Sequence, residues 1–386
     1  MNLEDRLRKL LVEWSAQGLT REIDWVKSRL DKPGHKSSYD FSSNDYLGLA
    51  QDSSVRLAIE RGLSEFGNGA TSSRLIAGSH SVFKNLEYQL AEWKQKESAL
   101  YLSSGYQTNI SLLSTIAGPN DHILFDRLAH ASLIDGIKLS GAKSRSFRHN
   151  DLNDLAKKLD KISQKKSSES LTFVVTEGIF SMDGDFGRLK EIAELKESFP
   201  FNLIVDEAHG IGVVGECGRG MSSQQGIDQE VDIMMGTCGK ALGISGGFIC
   251  GSKLLIKWLQ QKCRGWVYST APPPFIVSGL LEAIDIVKSS KGDELRNRLR
   301  ENISFANRAF FGSESKNKSL SPIIPYIIGD NLKVLQIQKK LKKDGYNVGA
   351  IRYPSVAKNT SRLRITINAN HSHSSINNLA ELLRSI

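Results

Sequence analysis

Apolar residues at Leu3, Leu7, Leu10, Leu11 and Trp14 recur at helical spacing, and Pro33-Gly34 closes that stretch, predicting a helical arm over 3–30. Val55, Ile59, Leu63 and Phe66 line one face of a second helix ending at Gly67, and Leu86, Leu90 and Trp93 do so for a third. Short apolar runs follow at 98–102, 122–125, 172–176, 202–205, 231–235 and 247–250, separated by helical segments and turn residues. Strand and helix in alternation predict an α/β fold with a mostly parallel central sheet flanked by helices. After Pro272-Pro273-Pro274 a long helical segment leads to two more strands, 323–328 and 363–367, and to a last helix carrying Ile376, Leu379, Leu382 and Leu383. The expected organisation is an N-terminal helical arm (1–45), a large domain (46–285) and a smaller α/β C-terminal domain (286–386).

A chain of 386 residues with 40% hydrophobic content can fill a sizeable core. No basic start followed by an apolar stretch opens the chain and no run reaches membrane-spanning length, so a cytoplasmic protein without membrane association is expected. The four cysteines, at 217, 238, 250 and 263, form no C-x-x-C pair and no metal-ligand spacing. The net charge of +9 is scattered, with one basic stretch at AKKLDKISQKKSSES (156–170), and no nucleic-acid motif accompanies it. Nucleic acid is therefore not an expected partner; clustered cations also suit an anionic acyl thioester.

Polar motifs stand just beyond the apolar runs, where ligands bind in open α/β sheets. Lys240 lies in GTCGKALG beyond one run, among glycines that give a bulky ring room to approach. Asp206 ends another run, and His209 follows three residues later. A lysine amine and a strand-end carboxylate suit pyridoxal phosphate, one condensing with its aldehyde and the other keeping its ring nitrogen protonated. Taken singly each has an ordinary reading: most lysines are surface charges, and a strand-end aspartate often caps the next helix. SSGYQTN (103–109) offers backbone amides at a helix start for a phosphate, His130 could stack on a planar ring or cap a loop, and Ser181 offers a hydroxyl. GIGVVG (210–215) fits G-x-G-x-x-G, the dinucleotide signature, but does not open directly from a strand.

In order along the chain, SSNDYLGL (42–49), YLSSGYQTN (101–109), DRLAHASLIDG (126–136), VVTEGIFSMDGD (174–185), IVDEAHGIGVVGECGRG (204–220), GTCGKALGISGG (236–247) and SRLRIT (361–366) resemble the α-oxoamine synthases, a branch of the fold-type I pyridoxal phosphate transferases. DRLAHASLIDG, FRHND (147–151), IIPYIIGDN (323–331) and AIRYPS (350–355) are most similar to its biotin-pathway members. The resemblance implies that Lys240 carries the cofactor, Asp206 meets the ring nitrogen, and His209 and Ser181 meet the phenolic oxygen. His130 would stack on the ring. Gly105, Tyr106 and Thr237 would hold the phosphate, with Ser269 and Thr270 reaching it across a homodimer interface. Arg364 would grip the amino-acid carboxylate, Asn44 border the substrate, and Arg21 and Ser355 lie near the acyl chain. Departures from relatives fall at Tyr106, Ser79-His80, Glu207 and Ser355, and bear on the acyl pocket rather than the core chemistry.

The implied reaction joins L-alanine to pimeloyl-CoA, or pimeloyl-acyl carrier protein, with loss of carbon dioxide. The same resemblance admits glycine-using relatives that make 2-amino-3-oxobutyrate or 5-aminolevulinate. A regulator that borrows this fold without catalysis, and a nicotinamide dehydrogenase, are the alternatives from other classes.

Overall fold

The computed structural model describes residues 1–23, 39–164, 167, 169–312 and 319–386. Its strands in chain order are β1 (Tyr39–Phe41), β2 (Ser98–Leu102), β3 (His122–Asp126), β4 (Lys143–Phe147), β5 (Thr172–Glu177), β6 (Asn202–Asp206), β7 (Ile233–Thr237), β8 (Gly247–Gly251), β9 (Ile323–Gly329), β10 (Tyr346–Ile351) and β11 (Ser361–Thr366). Seven of them form the main sheet in the order β2-β8-β7-β6-β5-β3-β4. All neighbours are parallel except at β8, which runs antiparallel to β2 and β7.

The continuous apolar runs reflect burial on both faces of this sheet. In β5, Val174 joins one core while Phe173 and Val175 join another; in β6, Leu203 and Val205 join the first and Ile204 the second. Side chains alternate across a strand, so each run feeds two cores at once. Full burial of one such side chain is worth roughly 1.5–3 kcal/mol. The one strand of this sheet absent from the sequence expectation, β4, reads Lys143-Ser144-Arg145-Ser146-Phe147; it occupies the sheet edge and only Phe147 is buried. An edge strand needs no apolar run, and its charges discourage pairing with another sheet.

Helices Ser53–Phe66 and Pro274–Lys288 cross closely, and both carry glycine at the crossing. A Cβ on Gly62 would come within 2.5 Å of Ser278 Oγ, and one on Gly279 within 2.5 Å of Ile59 Cγ1. Without side chains at these points the two backbones can approach, which fastens the two helices to each other.

The smaller sheet has the order β1-β10-β11-β9, with β1 parallel to β10 and the other pairs antiparallel. Tyr39 to Phe41 thus pair with Tyr346 to Val348, residues some three hundred positions later in the chain. The N-terminal helix ends at Ala16, short of the expected 30, because Gly18 turns the chain at φ +65°. Residues 24–30 of that expectation, and Pro33-Gly34, lie outside the described residues. Among the described residues no helix is long and apolar enough to cross a membrane.

Candidate active site

The carboxyl ends of β3, β5, β6 and β7 face one region, and each delivers polar groups to it. Asp206, the last residue of β6, is buried. Asn109 Nδ2 donates to its Oδ2 at 2.7 Å, and Ala208 N donates to Oδ1 at 2.9 Å. Asn109 sits on the helix Gly105–Ile116, whose first turn is capped by Ser104 accepting from Gln107 N. The same amide donates to Ser132 Oγ at 3.0 Å, and Ser132 Oγ lies 2.7 Å from His130 Nδ1. One amide therefore links the carboxylate of β6 to His130, a residue that is still partly exposed.

Lys240 follows β7 in a glycine turn. Gly243, at φ +68°, lies so close to the backbone of Leu49 and Ala50 that a Cβ would come within 2.4 Å of Ala50 N. Lys240 Nζ is 2.9 Å from His209 Nε2, and His209 Nδ1 is 2.6 Å from the Tyr46 hydroxyl. Tyr46 donates to Asn44 Oδ1 at 3.2 Å, and Arg364 Nη1 donates to the same oxygen at 2.9 Å. Since the single tyrosine proton goes to Asn44, a consistent assignment puts the His209 proton on Nδ1, leaving Nε2 to accept from Lys240.

Burial dominates the electrostatics. It lowers the Lys240 ammonium to about 8; Asp206 and Glu177 oppose the shift and Arg364 adds to it. Burial also drives His209 well below the usual imidazole range, helped by the positive charges of Lys240, Arg364 and His130. Glu177, the last residue of β5, is pushed well above the carboxylate range by burial and by Asp206, its register partner on β6. Its Oε1 accepts from His130 N at 2.6 Å. His130 is lowered by burial and by Lys240, while Asp206 pulls the other way.

Arg364 projects from β11 and is buried. Besides Asn44 it meets Ser181 O through Nε at 2.6 Å and Thr366 Oγ1 through Nη1 at 3.0 Å. A cavity of about 350 Å³ opens against Lys240, bounded also by Ser42, Asn44, Asp45 and Gly239. Gly105 starts its helix beside Thr237: a Cβ there would lie 3.0 Å from Thr237 Oγ1. Tyr106 is exposed and its hydroxyl donates to Asp135 Oδ2 at 2.5 Å.

Lys240, His209, Asn44 and Arg364 are thus joined in one chain of contacts, and Asp206, Ser132 and His130 in another. Ser181 joins through its carbonyl. Arg21 and Ser355 stand apart from both chains: Arg352 donates to Gly18 O and to Thr20 O just before Arg21, and its own carbonyl accepts from Ser355 N at 2.9 Å. Thr270 faces solvent, with Ser269 Oγ donating to its carbonyl at 3.3 Å. Sequence reasoning did not single out Tyr46, Asn109, Ser132 or Glu177. Asn109 was detectable as the residue one turn beyond Gly105, and Glu177 repeats the strand-end carboxylate pattern of Asp206. Gly210 to Gly215 runs through turns and bends into a three-residue 3-10 turn, Glu216–Gly218, and opens no α-helix, which removes the structural context a dinucleotide signature requires.

The donor set fits a phosphorylated pyridine aldehyde. An amine near neutrality stands beside a cavity, a buried carboxylate is held ready for a ring nitrogen, and a helix N-terminus with a threonine hydroxyl suits a phosphate. Among the described residues no group of three or more His, Cys, Asp or Glu is placed to hold a metal.

Comparison with known proteins agrees with this chemistry. The family model for aminotransferase class I and II matches residues 36–383. An 8-amino-7-oxononanoate synthase of Marinobacter nauticus is 40% identical over 351 residues, covering 90% of this chain and 87% of the relative. The structure of serine palmitoyltransferase from S. paucimobilis with a bound PLP-myriocin aldimine superposes with a TM-score of 0.90 at 26% identity, covering 100% of this chain and 98% of that one. The 8-amino-7-oxononanoate synthase of Francisella tularensis superposes with a TM-score of 0.77 at 31% identity, covering 90% of this chain and 97% of that one.

Proposed function

This chain belongs to the class I and II aminotransferase family, and from that premise we propose that it catalyses the 8-amino-7-oxononanoate synthase reaction, a decarboxylative condensation of L-alanine with a pimeloyl thioester. It is a pyridoxal phosphate-dependent acyltransferase of the α-oxoamine synthase type, with a place in biotin biosynthesis. The observation that carries the reading is the Lys240 amine, poised near neutrality between the cavity and the network that ends on Arg364.

When bound, pyridoxal phosphate supplies an electrophilic aldehyde and a ring that withdraws electrons from the substrate α-carbon. Lys240 would hold it, Asp206 would keep its ring nitrogen protonated, and His209 and Ser181 would face its phenolic oxygen. Gly105, Tyr106 and Thr237 would hold the phosphate. Ser269 and Thr270 would add to them from the second subunit of a homodimer. Arg364 orients alanine by its carboxylate, a planar group suited to a guanidinium. Lys240, set free once the alanine amine takes its place, would then remove the α-proton, a task for an amine whose free form is abundant near pH 8. His130, kept in place by Ser132 and Glu177, stacks over the reacting centre and can donate to the thioester carbonyl oxygen as negative charge develops there. The new carbon–carbon bond forms as the thiol leaves. Carbon dioxide is then lost and the proton returns to the α-carbon. Asn44 borders alanine, while Arg21 and Ser355 flank the acyl chain, which arrives on CoA or on acyl carrier protein.

The test is a product assay. L-alanine with pimeloyl-CoA should give 8-amino-7-oxononanoate, carbon dioxide and free CoA. Glycine with acetyl-CoA or succinyl-CoA, and L-serine with palmitoyl-CoA, should turn over far more slowly; preference for any of these pairs would overturn the substrate assignment. Sedimentation of the loaded protein tests the homodimer.

A further inference from the structure

FRHND, one of the motifs of the resemblance, has no part in the chemistry above, yet its histidine is clamped between two carboxylates. His149 follows β4. Its Nδ1 lies 3.0 and 3.1 Å from the two oxygens of Asp126, a fully buried residue at the end of β3, and its Nε2 lies 2.6 Å from Asp185 Oδ2. With a carboxylate at each nitrogen, both must donate, so the ring is an imidazolium. Phe180 packs edge-on against it, centroids 4.4 Å apart. Asn150 reinforces the arrangement: its backbone N donates to Asp126 Oδ2, and its side chain donates to Asp185 Oδ2 and to Phe186 O, each at 3.0 Å.

Phe180 and Asp185 face each other across a small hairpin, where Phe180 N donates to Asp185 O and Ile179 bridges to Phe186. The tip of this hairpin reaches the smaller sheet. Ser181 O accepts from Arg364, the Asp183 carboxylate pairs with Arg362, and Gly184 lies so close to β9 that a Cβ would meet Ile323 O at 2.2 Å. The hairpin is therefore a strut: His149 and Asn150 grip its base on the main sheet, and its tip bears on the strand that carries Arg364.

We propose that His149 is a positioning residue for substrate recognition, setting Arg364 through the hairpin 179–186 and thereby selecting for a carboxylate on the amino substrate. The proposal rests on the reading that Arg364 grips that carboxylate. Of the residues assigned to the phosphate and the ring only Ser181 lies in the hairpin, while Lys240, Asp206, His209, His130, Gly105 and Thr237 lie outside it, so the effect falls chiefly on ligands that carry the carboxylate.

The experiment uses full-length protein loaded with pyridoxal phosphate and follows its visible spectrum as L-alanine or L-alaninamide, which lacks the carboxylate, is added. Two variants, His149→Gln and Asp185→Asn, remove the charge at opposite ends of the contact, so one remains informative if the other does not fold. Either should weaken L-alanine binding about tenfold, in line with the loss of a charge-assisted hydrogen bond, and leave L-alaninamide binding within about twofold. Equal weakening of both ligands, or of neither, overturns the positioning role. Wild-type protein and Arg364→Lys provide the reference. If wild type shows no preference for the carboxylate ligand, or Arg364→Lys keeps that preference in full, the reading of Arg364 fails, and the proposal falls with it for a reason visible without any change at His149.

Discussion

Lys240 Nζ stands 2.9 Å from His209 Nε2, and because the imidazole is driven far below its usual range and keeps its one proton on Nδ1, that nitrogen accepts. The lysine therefore has a neutral neighbour rather than a competing cation, in surroundings that already lower its own proton affinity to about 8.

That value predicts how the apoprotein takes up its cofactor. Only the free amine attacks an aldehyde, and its fraction grows about tenfold per pH unit below the pKa. The rate at which a visible absorption band appears after mixing with pyridoxal phosphate should climb between pH 6 and 8 and flatten above. Lys240→Ala should give no such band and no turnover. A flat rate across this range would place the amine in a different environment from the one described.

Asn109 is the most informative neighbour of Asp206. Its amide donates to the buried carboxylate at 2.7 Å, a charge-assisted bond of roughly 1.5–3 kcal/mol in ordinary settings. Asn109→Ala should lower turnover by about 10- to 100-fold, since the same range of energy converts to that factor. It should also loosen His130, because the link through Ser132 is lost. Turnover within about twofold of wild type would show that Asp206 needs no such support.

Arg364→Lys keeps the charge but loses the planar fork. An ammonium has three donors in all, so a lysine that satisfied Asn44, Ser181 O and Thr366 would have none left for a carboxylate, whereas Arg364 makes those contacts through Nε and Nη1 and has Nη2 for it. The KM for the amino acid should rise by about 10- to 100-fold, with a smaller effect on the acyl donor's KM. Steady-state kinetics with each substrate varied in turn separate the two.

His149 makes stability depend on pH in the alkaline direction. Burial pulls its pKa down, but hydrogen bonds and charge from Asp126 and Asp185 prevail and raise it to about 10 from the ordinary 6.5. A group whose folded pKa is raised contributes fully below its unfolded pKa and loses that contribution as pH passes through the folded value. The excess melting temperature of wild type over His149→Gln should therefore be largest near pH 6 and shrink steadily up to about pH 10. A difference that grows with pH would contradict the imidazolium.

Strands covered on both faces were legible as apolar runs, since such strands cannot alternate with polar residues. β4 was not, because Lys143, Ser144, Arg145 and Ser146 sit exposed at the sheet edge. β1 and β10 escaped notice for another reason: Tyr39 finds Tyr346 only once the chain has folded back on itself, and no local pattern encodes a partner so distant. The N-terminal helix was placed correctly at its start and too far at its end, where one glycine turns the chain.

What the sequence determined by itself is the set of chemical groups and their places at strand ends, because a strand boundary is a local event written in apolar run and glycine turn. Lys240, Asp206 and His209 could be named from such patterns, whereas Arg364, inside β11, was named only through the family resemblance. Tertiary structure alone decided how these groups act on one another. It put Arg364 against Asn44, Asn109 against Asp206 and Glu177 beside Asp206, and it excluded the water that would have screened them. Charge and hydrogen-bond energies depend on distance and burial across hundreds of residues of separation, so the lowered Lys240 and the doubly engaged His149 exist only in the folded chain.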